Sequence, residues 1–426
     1  MDIGEFDVKK IPIEKLKPFP GNARIWNQKA LDDLEKSLKI FGQPDPLIVN
    51  TAKGKEFRVV GGNMRLEVLK RMGVKEASCS LVCIKDSKKE LELNLRLNAN
   101  HGAWDFDLLK DIEPYLLLDV GFDDLDFEKI WGDTLGIEDD QFDVEKEIEK
   151  IKTPKAKLGD LYQLGPHRLL CGDSTKAESY TALLGEERAD MIYSDYPYNI
   201  GLNYNAGIGG KKNKYGSGII DDSKTPKEYH DFVAICVKHC KDFCKQDAHF
   251  FGWCDQNYIG LFQSIYRKLE IKNQRVCLWI KGSHNPTPQV AFNKMYEPCI
   301  YGTIGKPYLD KGRTNYNEIL NPEVETGKRS LDDIKDIFDI WLEQRLPGSE
   351  MNHPTEKPVT LHERPLKRCT KVGDIVLDQF CGSGSTLIAC DQMKRRAFLM
   401  ELDPIFIDLT IQRYETLTGI KAKKIN

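Results

Sequence analysis

Two short segments of the sequence place acidic, aromatic and glycine residues directly after apolar runs. The first segment is Asp195-Tyr196-Pro197-Tyr198, which follows the run ADMIYS. The second is Asp378-Gln379-Phe380-Cys381-Gly382-Ser383-Gly384-Ser385-Thr386, which follows the run DIVL and leads into the helix-like run TLIACDQM. Side chains that a rigid scaffold holds at the end of a strand are often those that bind or react. Both segments are therefore candidate sites.

The second segment has the composition of a turn that binds a ligand. Gly382 and Gly384 allow the backbone to approach a ligand closely, and the helix that follows offers free N–H groups at its start. The next strand, AFLMELD, ends at Glu401, whose carboxylate suits the two hydroxyls of a ribose. Because the complete G-x-G-x-x-G spacing is absent, the pattern favours a nucleoside without a pyrophosphate over a dinucleotide.

The first segment joins an acidic residue, a proline and an aromatic residue at the end of an apolar strand. Asp195, Pro197 and Tyr198 form an unusual exposed group, in which the carboxylate can accept hydrogen bonds. Asp-x-Pro sequences are also common in turns. From its own residues, the segment indicates a turn and a reactive site equally well.

The surrounding sequence predicts the elements that position these segments. From residue 158 to the end, strand-like and helix-like runs alternate, which indicates an α/β doubly wound sheet. Strands and helices also alternate over residues 8–100, which predicts a smaller α/β domain. We therefore expect one domain over residues 1–100, an acidic helical connector over 101–155, and the doubly wound domain over 156–426. The stretch NYNAGIGGKKNKYGSGI is predicted to be a mobile loop.

The net charge of −4 hides an uneven distribution. Residues 101–150 carry −13, residues 1–100 carry +5 and the remaining residues carry +4. Two mildly basic regions leave a nucleic-acid partner open, and Lys281 and His284 could equally be DNA contacts or solvated side chains. No apolar run approaches the ~18 residues of a membrane span, and the start lacks the apolar core of a secretion signal. We therefore expect no membrane partner, reduced cysteines and a cytoplasmic location.

A cysteine pattern in the run FVAICVKHCKDFC is the main alternative candidate for chemistry. Cys236, Cys240 and Cys244 recur at every fourth residue, which places them on one face of a helix beside apolar residues. We expect this face to be buried rather than to bind a metal. His239 points away from it and is predicted to be solvated.

Together, the two segments resemble the motifs of the amino-group DNA methyltransferases that use S-adenosylmethionine. Members share a D/N/S-P-P-Y catalytic motif, a D-x-F-x-G-x-G cofactor motif and an acidic ribose ligand. With the catalytic motif first, the order is similar to the β arrangement of that family. Two further matches are Asn352-His353-Pro354-Thr355-Glu356-Lys357-Pro358, which resembles an H-P-x-x-K-P segment, and Cys171-Gly172-Asp173-Ser174. The resemblance covers about residues 158–415.

The resemblance implies a role for each matching residue. In the catalytic motif, the Asp195 carboxylate and the Tyr196 carbonyl would accept hydrogen bonds from the target amine, Pro197 would follow them, and Tyr198 would stack on a flipped base. The family has proline where this chain has Tyr196, so the carbonyl is retained but the rigid ring is lost. No metal is implied. The implied ligands of S-adenosylmethionine are Asp173, Lys357, Asp378, Phe380, Gly382, Gly384, Thr386 and Glu401.

The N-terminal region resembles a second family, the ParB-like domains of partition proteins and related nucleases. The matching stretches are IPIEKLKPFPGNAR, FGQPDPLIVN and VVGGNMRLEVLKRMG. The family's G-x-x-R turn is Gly62-Asn63-Met64-Arg65, where glycine at a helix start and an arginine one turn later would suit an anion. Sulfiredoxin-like members need a cysteine in this turn, and Asn63 supplies none. We expect a module that binds or positions DNA, with a purely architectural role as the alternative.

These features predict a site-specific methyltransferase that moves a methyl group from S-adenosylmethionine to adenine N6 in double-stranded DNA. Family members with serine at the acceptor position resemble cytosine N4 enzymes, whereas Asp195 favours adenine. Three alternatives stay open: a cytosine N4 enzyme, an enzyme acting on RNA or a small amine, and a DNA-binding partition or regulatory protein with a degenerate methyltransferase half. A homodimer, a restriction endonuclease partner, and a bacterial, archaeal or phage origin are compatible with the sequence.

Overall fold

The computed structural model describes most of the chain. The described residues are 8–21, 24–26, 28–98, 103–112, 114–119, 122, 124–131, 135–200, 223–281, 291–292, 294–310, 339–342 and 357–426. They divide into two compact units, Met1–Thr134 and Leu135–Asn426. Within these residues, no helix combines the length and apolar character that a membrane crossing requires. The predicted loop NYNAGIGGKKNKYGSGI and His284 lie outside the described residues.

The first unit is built on a small mixed sheet. Its strands are β1 (Val8–Pro12), β2 (Lys17–Pro18), β3 (Arg24–Ile25), β4 (Leu47–Asn50), β5 (Arg58–Gly61), β6 (Glu76–Val82) and β7 (Ala103–Trp104). Its helices are α1 (Gln28–Phe41), α2 (Asn63–Arg71), α3 (Ser87–Asn98), α4 (Phe106–Leu109), α5 (Pro114–Asp119) and α6 (Asp124–Ile130). Five strands form the sheet in the order β1-β6-β4-β5-β2, and β3 pairs with β7. Leu47, Val59 and Leu66 lie in its buried core, as the apolar runs predict.

The second unit contains a ten-stranded sheet with helices on both faces. Its strands are β8 (Leu161–Leu164), β9 (His167–Cys171), β10 (Ala189–Asp195), β11 (Cys244–Trp253), β12 (Lys272–Ile280), β13 (Tyr296–Ile304), β14 (Ile340–Leu342), β15 (Ile375–Asp378), β16 (Arg396–Glu401) and β17 (Lys423–Lys424). Its helices are α7 (Val144–Lys150), α8 (Ala177–Leu184), α9 (Pro226–Asp242), α10 (Ile259–Lys268), α11 (Glu363–Cys369), α12 (Ser385–Gln392) and α13 (Pro404–Thr418).

The strand order explains why the two candidate segments can meet. The sheet runs β14-β12-β13-β11-β10-β15-β16-β9-β8-β17, and its five central strands, from β11 to β9, are parallel. Parallel strands end at the same edge, so Asp195, Asp378 and Glu401 emerge side by side. The chain leaves β10 for β11 on one side, while β15 lies on the other, and ligands bind at such a reversal of strand order.

Two apolar layers hold the helices against the sheet. Side chains of α8, α9 and α10 pack on one face, and side chains of α11, α12 and α13 pack on the other. Parallel strands covered on both faces are apolar along their whole length, as the runs MIY and IVL are here. The predicted doubly wound α/β fold is confirmed.

Helix α9 confirms one prediction from the cysteine pattern and corrects another. Cys236 and Cys240 are fully buried against the sheet, as predicted. Cys244, predicted on the same helix face, is only partly buried, because the helix ends at Asp242 and Cys244 begins β11. His239, predicted to be solvated, is also buried, and its Nε2 atom lies 3.2 Å from the Thr175 carbonyl oxygen. The prediction was wrong because the loop after β9 covers this side of the helix. In the described part of the chain, no cluster of three or more His, Cys, Asp or Glu side chains is arranged to hold a metal ion.

The predicted connector, residues 101–155, spans the boundary between the two units. Helices α4 to α6 belong to the first unit, whereas α7 belongs to the second. The division of the chain into three parts stays a prediction.

Candidate active site at the carboxyl edge of the second sheet

A cavity of about 410 Å³ opens at the carboxyl ends of the central strands. Eleven of the twelve residues that the sequence selects line it, and Gly384 does not. The walls therefore combine both candidate segments with the loop after β9. The eleven residues are Asp173, Asp195, Tyr196, Pro197, Tyr198, Lys357, Asp378, Phe380, Gly382, Thr386 and Glu401.

Asp378 organises the turn between β15 and α12. Its Oδ1 atom accepts a hydrogen bond from the Phe380 amide at 3.1 Å, and its Oδ2 atom accepts one from the Thr386 hydroxyl at 2.8 Å. Burial of this carboxyl group raises its pKa to about 7. A positively charged ligand group at this position would favour the ionised form. Thr386 and the Asp378 carboxyl group that it contacts both line the cavity.

Gly384 shapes this turn from behind. Its φ of +84° lies in the left-handed region, and an added Cβ would meet the Thr410 side chain at 2.8 Å. Only glycine fits both requirements without strain. The residue fixes the entry into α12 rather than the wall of the cavity.

Glu401 closes the opposite side of the turn. Its Oε2 atom accepts a hydrogen bond from the Gly382 amide at 3.0 Å, and its Oε1 atom accepts from the amides of Leu402 and Asp403 at 2.8 and 3.0 Å. Burial raises the pKa of Glu401, and these amides oppose the shift. Since each carboxylate oxygen has two lone pairs, the Oε2 atom can still accept a hydrogen bond from a ligand hydroxyl, whereas the two amides use both lone pairs of Oε1.

Asp173 reaches the cavity from the loop after β9. Its Oδ1 atom accepts hydrogen bonds from the amide and the hydroxyl of Thr175, at 2.8 and 2.7 Å. These two bonds hold the carboxylate in one orientation. Cys171, two residues earlier, pairs with Glu401 across the sheet, so Asp173 and Glu401 lie at the ends of neighbouring strands.

Asp195 ends β10 and presents a carboxylate with two unlike oxygens. The Oδ2 atom forms an ion pair with the Lys357 ammonium group. The Oδ1 atom is buried and has no hydrogen-bond partner among the described residues. Burial raises the pKa of Asp195, whereas Lys357 opposes that shift and favours the charged form. The carboxylate, which lines the cavity, therefore has one oxygen held by Lys357 and one buried oxygen that makes no hydrogen bond to the described residues.

Tyr196 occupies the position at which the family that this sequence resembles has proline. Its buried ring packs against Phe262 and Phe380, with ring centroids 4.9 and 5.0 Å apart. Its hydroxyl accepts a hydrogen bond from the Gln379 side chain at 2.6 Å, and Gln379 in turn accepts one from Tyr180. Packing and a hydrogen bond thus restrict this segment where a proline ring would otherwise do so.

Glu297 is a site residue that the sequence analysis missed. It is buried near the start of β13, and its Oε2 atom accepts a hydrogen bond from the Tyr198 hydroxyl at 2.8 Å. Lys281 forms an ion pair with it, and the Lys357 ammonium lies 3.8 Å away. Although burial disfavours the charge, the two lysines hold the pKa of Glu297 below its usual range. Lys281 is therefore part of this charged cluster rather than a solvated residue.

Lys357 lies at the centre of the cluster. Besides its pair with Asp195, it donates to the Tyr198 hydroxyl at 3.2 Å, and its ammonium group lies 4.9 Å from the centre of the Trp253 ring. The sequence places Lys357 beside the cofactor, whereas the structure places it against the catalytic segment. Residues 352–356, which complete its motif, lie outside the described residues.

His362 also lines the cavity and carries no sequence signal. Its ring nitrogens lie 2.9 Å from the Tyr193 hydroxyl and 3.0 Å from the Ser385 hydroxyl. Burial lowers the pKa of His362 to about 3, so the ring is neutral near pH 7. It links β10 to the start of α12.

The predicted G-x-x-R turn of the first unit is formed at the start of α2. Gly62 has a φ of +89°, and Asn63 is buried with its Oδ1 atom accepting a hydrogen bond from the Phe19 amide at 2.9 Å. The Arg65 guanidinium lies 2.5 Å from the Asp45 carboxylate. An anion at this turn stays a prediction.

Comparison with known proteins places this chain in a family. The sequence profile described as DNA methylase matches residues 189–412, more than half of the chain, and the profile of the ParB N-terminal domain matches residues 2–101. The chain belongs to the DNA methylase family and carries a ParB N-terminal domain. It is thus an S-adenosylmethionine-dependent methyltransferase that acts on DNA. The predicted family, enzyme class and cofactor are confirmed.

Several relatives match more than half of this chain. The type II methyltransferase M2.DpnII of Streptococcus pneumoniae is 26% identical over 235 residues, which are 54% of this chain and 83% of that protein. The DNA adenine methyltransferase YhdJ of Escherichia coli (strain K12) is 24% identical over 257 residues, 56% of this chain and 80% of that protein. Among solved structures, the cytosine-N4-specific PvuII DNA methyltransferase is 17% identical, with a TM-score of 0.40 over 59% of this chain and 89% of that one.

Proposed function

We propose that this enzyme transfers a methyl group from S-adenosylmethionine to the N6 amino group of adenine in double-stranded DNA, at a specific site. One observation carries the proposal. The Asp195 carboxylate, with one buried oxygen that lacks a partner among the described residues, lies in the same cavity as Asp378 and Glu401. The acceptor for the amine and the residues of the nucleoside site thus line the same cavity.

The cavity residues fit the cofactor. The Glu401 Oε2 atom suits a ribose hydroxyl, and the Gly382 turn lets the backbone approach the ligand. The Asp378 carboxylate suits a positively charged group of the ligand, which would lower the pKa that burial raises to about 7. Asp173 and Phe380 complete the walls. When bound, S-adenosylmethionine supplies an electrophilic methyl group.

The catalytic segment makes the target amine a better nucleophile. The lone pair of an exocyclic amino group is conjugated into the base, which makes it a poor nucleophile. The Asp195 carboxylate and the Tyr196 carbonyl accept its two hydrogens, which favours a tetrahedral nitrogen and stabilises the positive charge that develops. With the cofactor bound, the nitrogen would take the methyl group as the sulfur–carbon bond breaks, which would leave S-adenosylhomocysteine, and the proton lost from nitrogen would pass to water. Lys357 holds the other oxygen of Asp195 and favours its ionised form.

Tyr198 receives the flipped base on its ring. Its hydroxyl is tethered to Glu297 and Lys357, which limits rotation of the ring about its side-chain bonds. A base taken out of the duplex loses its stacking partners, and an aromatic ring replaces part of that energy.

The choice of adenine depends on Asp195. A carboxylate binds the developing charge about twice as strongly per hydrogen bond as a neutral hydroxyl does. The name of YhdJ, a DNA adenine methyltransferase, supports this choice. Cytosine presents the same two amino hydrogens, so cytosine N4 is the alternative base.

The test is mass spectrometry of nucleosides from DNA methylated by the purified enzyme. We expect N6-methyladenine with the wild type and none with Asp195→Ala, whose affinity for S-adenosylmethionine should stay nearly unchanged. Asp231→Ala, on the exposed part of α9, is the matched control and should retain activity. Detection of N4-methylcytosine would contradict the base assignment but not the mechanism. Cofactor binding without any methylated base would favour a regulatory protein with a degenerate enzyme half.

The proposal extends to the partners of the enzyme. The type II name of M2.DpnII supports a modification enzyme that protects DNA from a restriction endonuclease, in the cytoplasm where that DNA lies. DNA from expressing cells should then resist cleavage by an endonuclease of the same specificity. We also propose a homodimer, which light scattering should detect as twice the mass of 48.7 kDa.

A further inference from the structure

Residues 135–156, here called the strap, belong to the methyltransferase unit but lie outside both family matches, which cover residues 2–101 and 189–412. Main-chain groups tie the strap to that unit. The Glu138 amide donates to the Gln392 side chain at 2.8 Å, and the amides of Lys155 and Ala156 donate to Asp408 at 2.5 and 3.1 Å. An acidic segment that served only as a linker would be solvated, whereas these hydrogen bonds hold the strap against the methyltransferase unit.

The strap reaches the cofactor turn through a buried ion pair. Arg413 of α13 contacts both oxygens of Asp140 at 2.6 Å, and both side chains are less than 10% exposed. The same guanidinium donates to the carbonyl and the hydroxyl of Ser383, each at 3.2 Å. Ser383 lies between Gly382 and Gly384 and lines the cavity. A two-point arginine pair is geometrically rigid, so Asp140 sets where Arg413 holds this turn.

The strap also supplies part of the cavity wall. Val144, at the start of α7, is buried and lines the cavity. It packs in a small apolar cluster with Leu409 and Phe406. Phe406 lines the same cavity and lies five residues after Glu401. Val144 therefore lies beside Phe406, in the part of the wall formed by the segment that follows Glu401.

We propose that the strap is a third part of the cofactor site, in addition to the catalytic segment that begins at Asp195 and the cofactor turn that begins at Asp378. Val144 contacts the nucleoside end of S-adenosylmethionine, and Asp140 is a positioning residue that acts through Arg413 on the Ser383 turn. The inference rests on the proposed assignment of the cavity to the cofactor. It makes cofactor affinity depend on a segment that the family motifs do not include.

The test is calorimetry of S-adenosylhomocysteine binding to the full chain and its variants. Val144→Ala should weaken binding about three- to tenfold, because apolar contact area is lost. Asp140→Asn should weaken it about five- to tenfold, because the arginine pair loses its charge assistance. Glu149→Gln, an exposed strap residue with the same change in charge, is the matched control and should bind as the wild type does. Binding of 5′-methylthioadenosine, which lacks the amino-acid end, should fall by the same factor in Val144→Ala.

Glu401→Ala separates this inference from the proposed function. Weaker binding in Glu401→Ala together with wild-type binding in both strap variants would overturn the inference alone. Wild-type binding in all three variants would overturn the assignment of the cavity. If Asp140→Asn fails to fold, Val144→Ala decides the question. A comparison of its thermal melting with that of the wild type shows whether this variant is folded.

Discussion

Among single residues, Tyr196 shows how this enzyme departs from the motif that it resembles. A proline there would restrict the backbone that carries one of the two acceptors. Here the ring of Tyr196 is buried between Phe262 and Phe380, and its hydroxyl bonds to Gln379, the residue after Asp378. The catalytic segment and the cofactor turn are therefore joined by a side-chain hydrogen bond. The cost of breaking this bond is testable.

Tyr196→Phe should lower the rate of methyl transfer and leave cofactor affinity unchanged. Loss of the hydroxyl leaves the buried Gln379 amide without its acceptor, which costs about 1–3 kcal/mol. Single-turnover kinetics and calorimetry would measure the two effects separately. Tyr266→Phe, another buried tyrosine of the same unit, is the control and should retain the rate. Equal rates in both variants would contradict a role for this hydrogen bond.

Among the elements, the starts of β10 and β15 carry a pair of carboxylates at the edge opposite the active site. Asp190 accepts a hydrogen bond from the Ile375 amide at 2.9 Å and pairs with Lys245 at 2.6 Å. Burial, together with the negative charge of Asp190, raises the pKa of Asp374 to about 7. Two adjacent parallel strands therefore begin beside a carboxyl group that resists ionisation.

This pair predicts a dependence of stability on pH. A carboxyl group whose pKa is raised on folding, here from 3.8 to about 7, binds its proton more tightly in the folded state. The free energy of unfolding should therefore fall as the pH rises through this range and level off above about pH 7. Asp374→Asn should remove this loss and stabilise the protein by about 1–3 kcal/mol near pH 8.

Urea unfolding of the wild type and Asp374→Asn at about pH 5 and pH 8 would measure the difference. The stabilisation should be larger at the higher pH. Asp231→Asn, exposed on α9, is the control and should change stability little at either pH. A stabilisation of equal size at both values would show that ionisation of Asp374 is not its cause.

At the scale of the whole molecule, the chain joins a ParB N-terminal domain to a methyltransferase. The first unit carries its own buried core, and the second unit has buried cores on both faces of its sheet. The residues that line the cavity all come from the second unit, beginning with Val144. Cofactor binding should therefore need only the second unit, whereas DNA binding is expected to use both.

A chain of residues 135–426 should bind S-adenosylmethionine as the full chain does but bind DNA more weakly. The slope of log affinity against log salt should also be shallower, because phosphate contacts of the first unit are lost. The chain must start at residue 135, since a start near Lys155 would remove Asp140 and Val144. Equal DNA affinity and equal slopes would leave the first unit with an architectural or regulatory role.

The sequence predicted the parts of this protein that depend on local patterns. Apolar runs marked the central strands, and the residues after them, Asp195 and Asp378, were expected at their ends. Since parallel strands end at one edge, a correct strand assignment was enough to bring these residues and Glu401 into one cavity. The glycine turn also has a local signal at Gly384, because its φ of +84° and the Thr410 side chain behind it exclude other residues.

The tertiary structure alone decided the contacts made across the chain. Glu297 reaches the catalytic segment because β13 is antiparallel to β11, so that it begins at the edge where β11 ends. The ion pair of Asp140 with Arg413 joins residues 273 positions apart. Neither contact leaves a periodic pattern in the sequence, because each depends on how distant elements pack. The sequence by itself therefore determined the fold and the two motifs, while packing determined how their charges are paired.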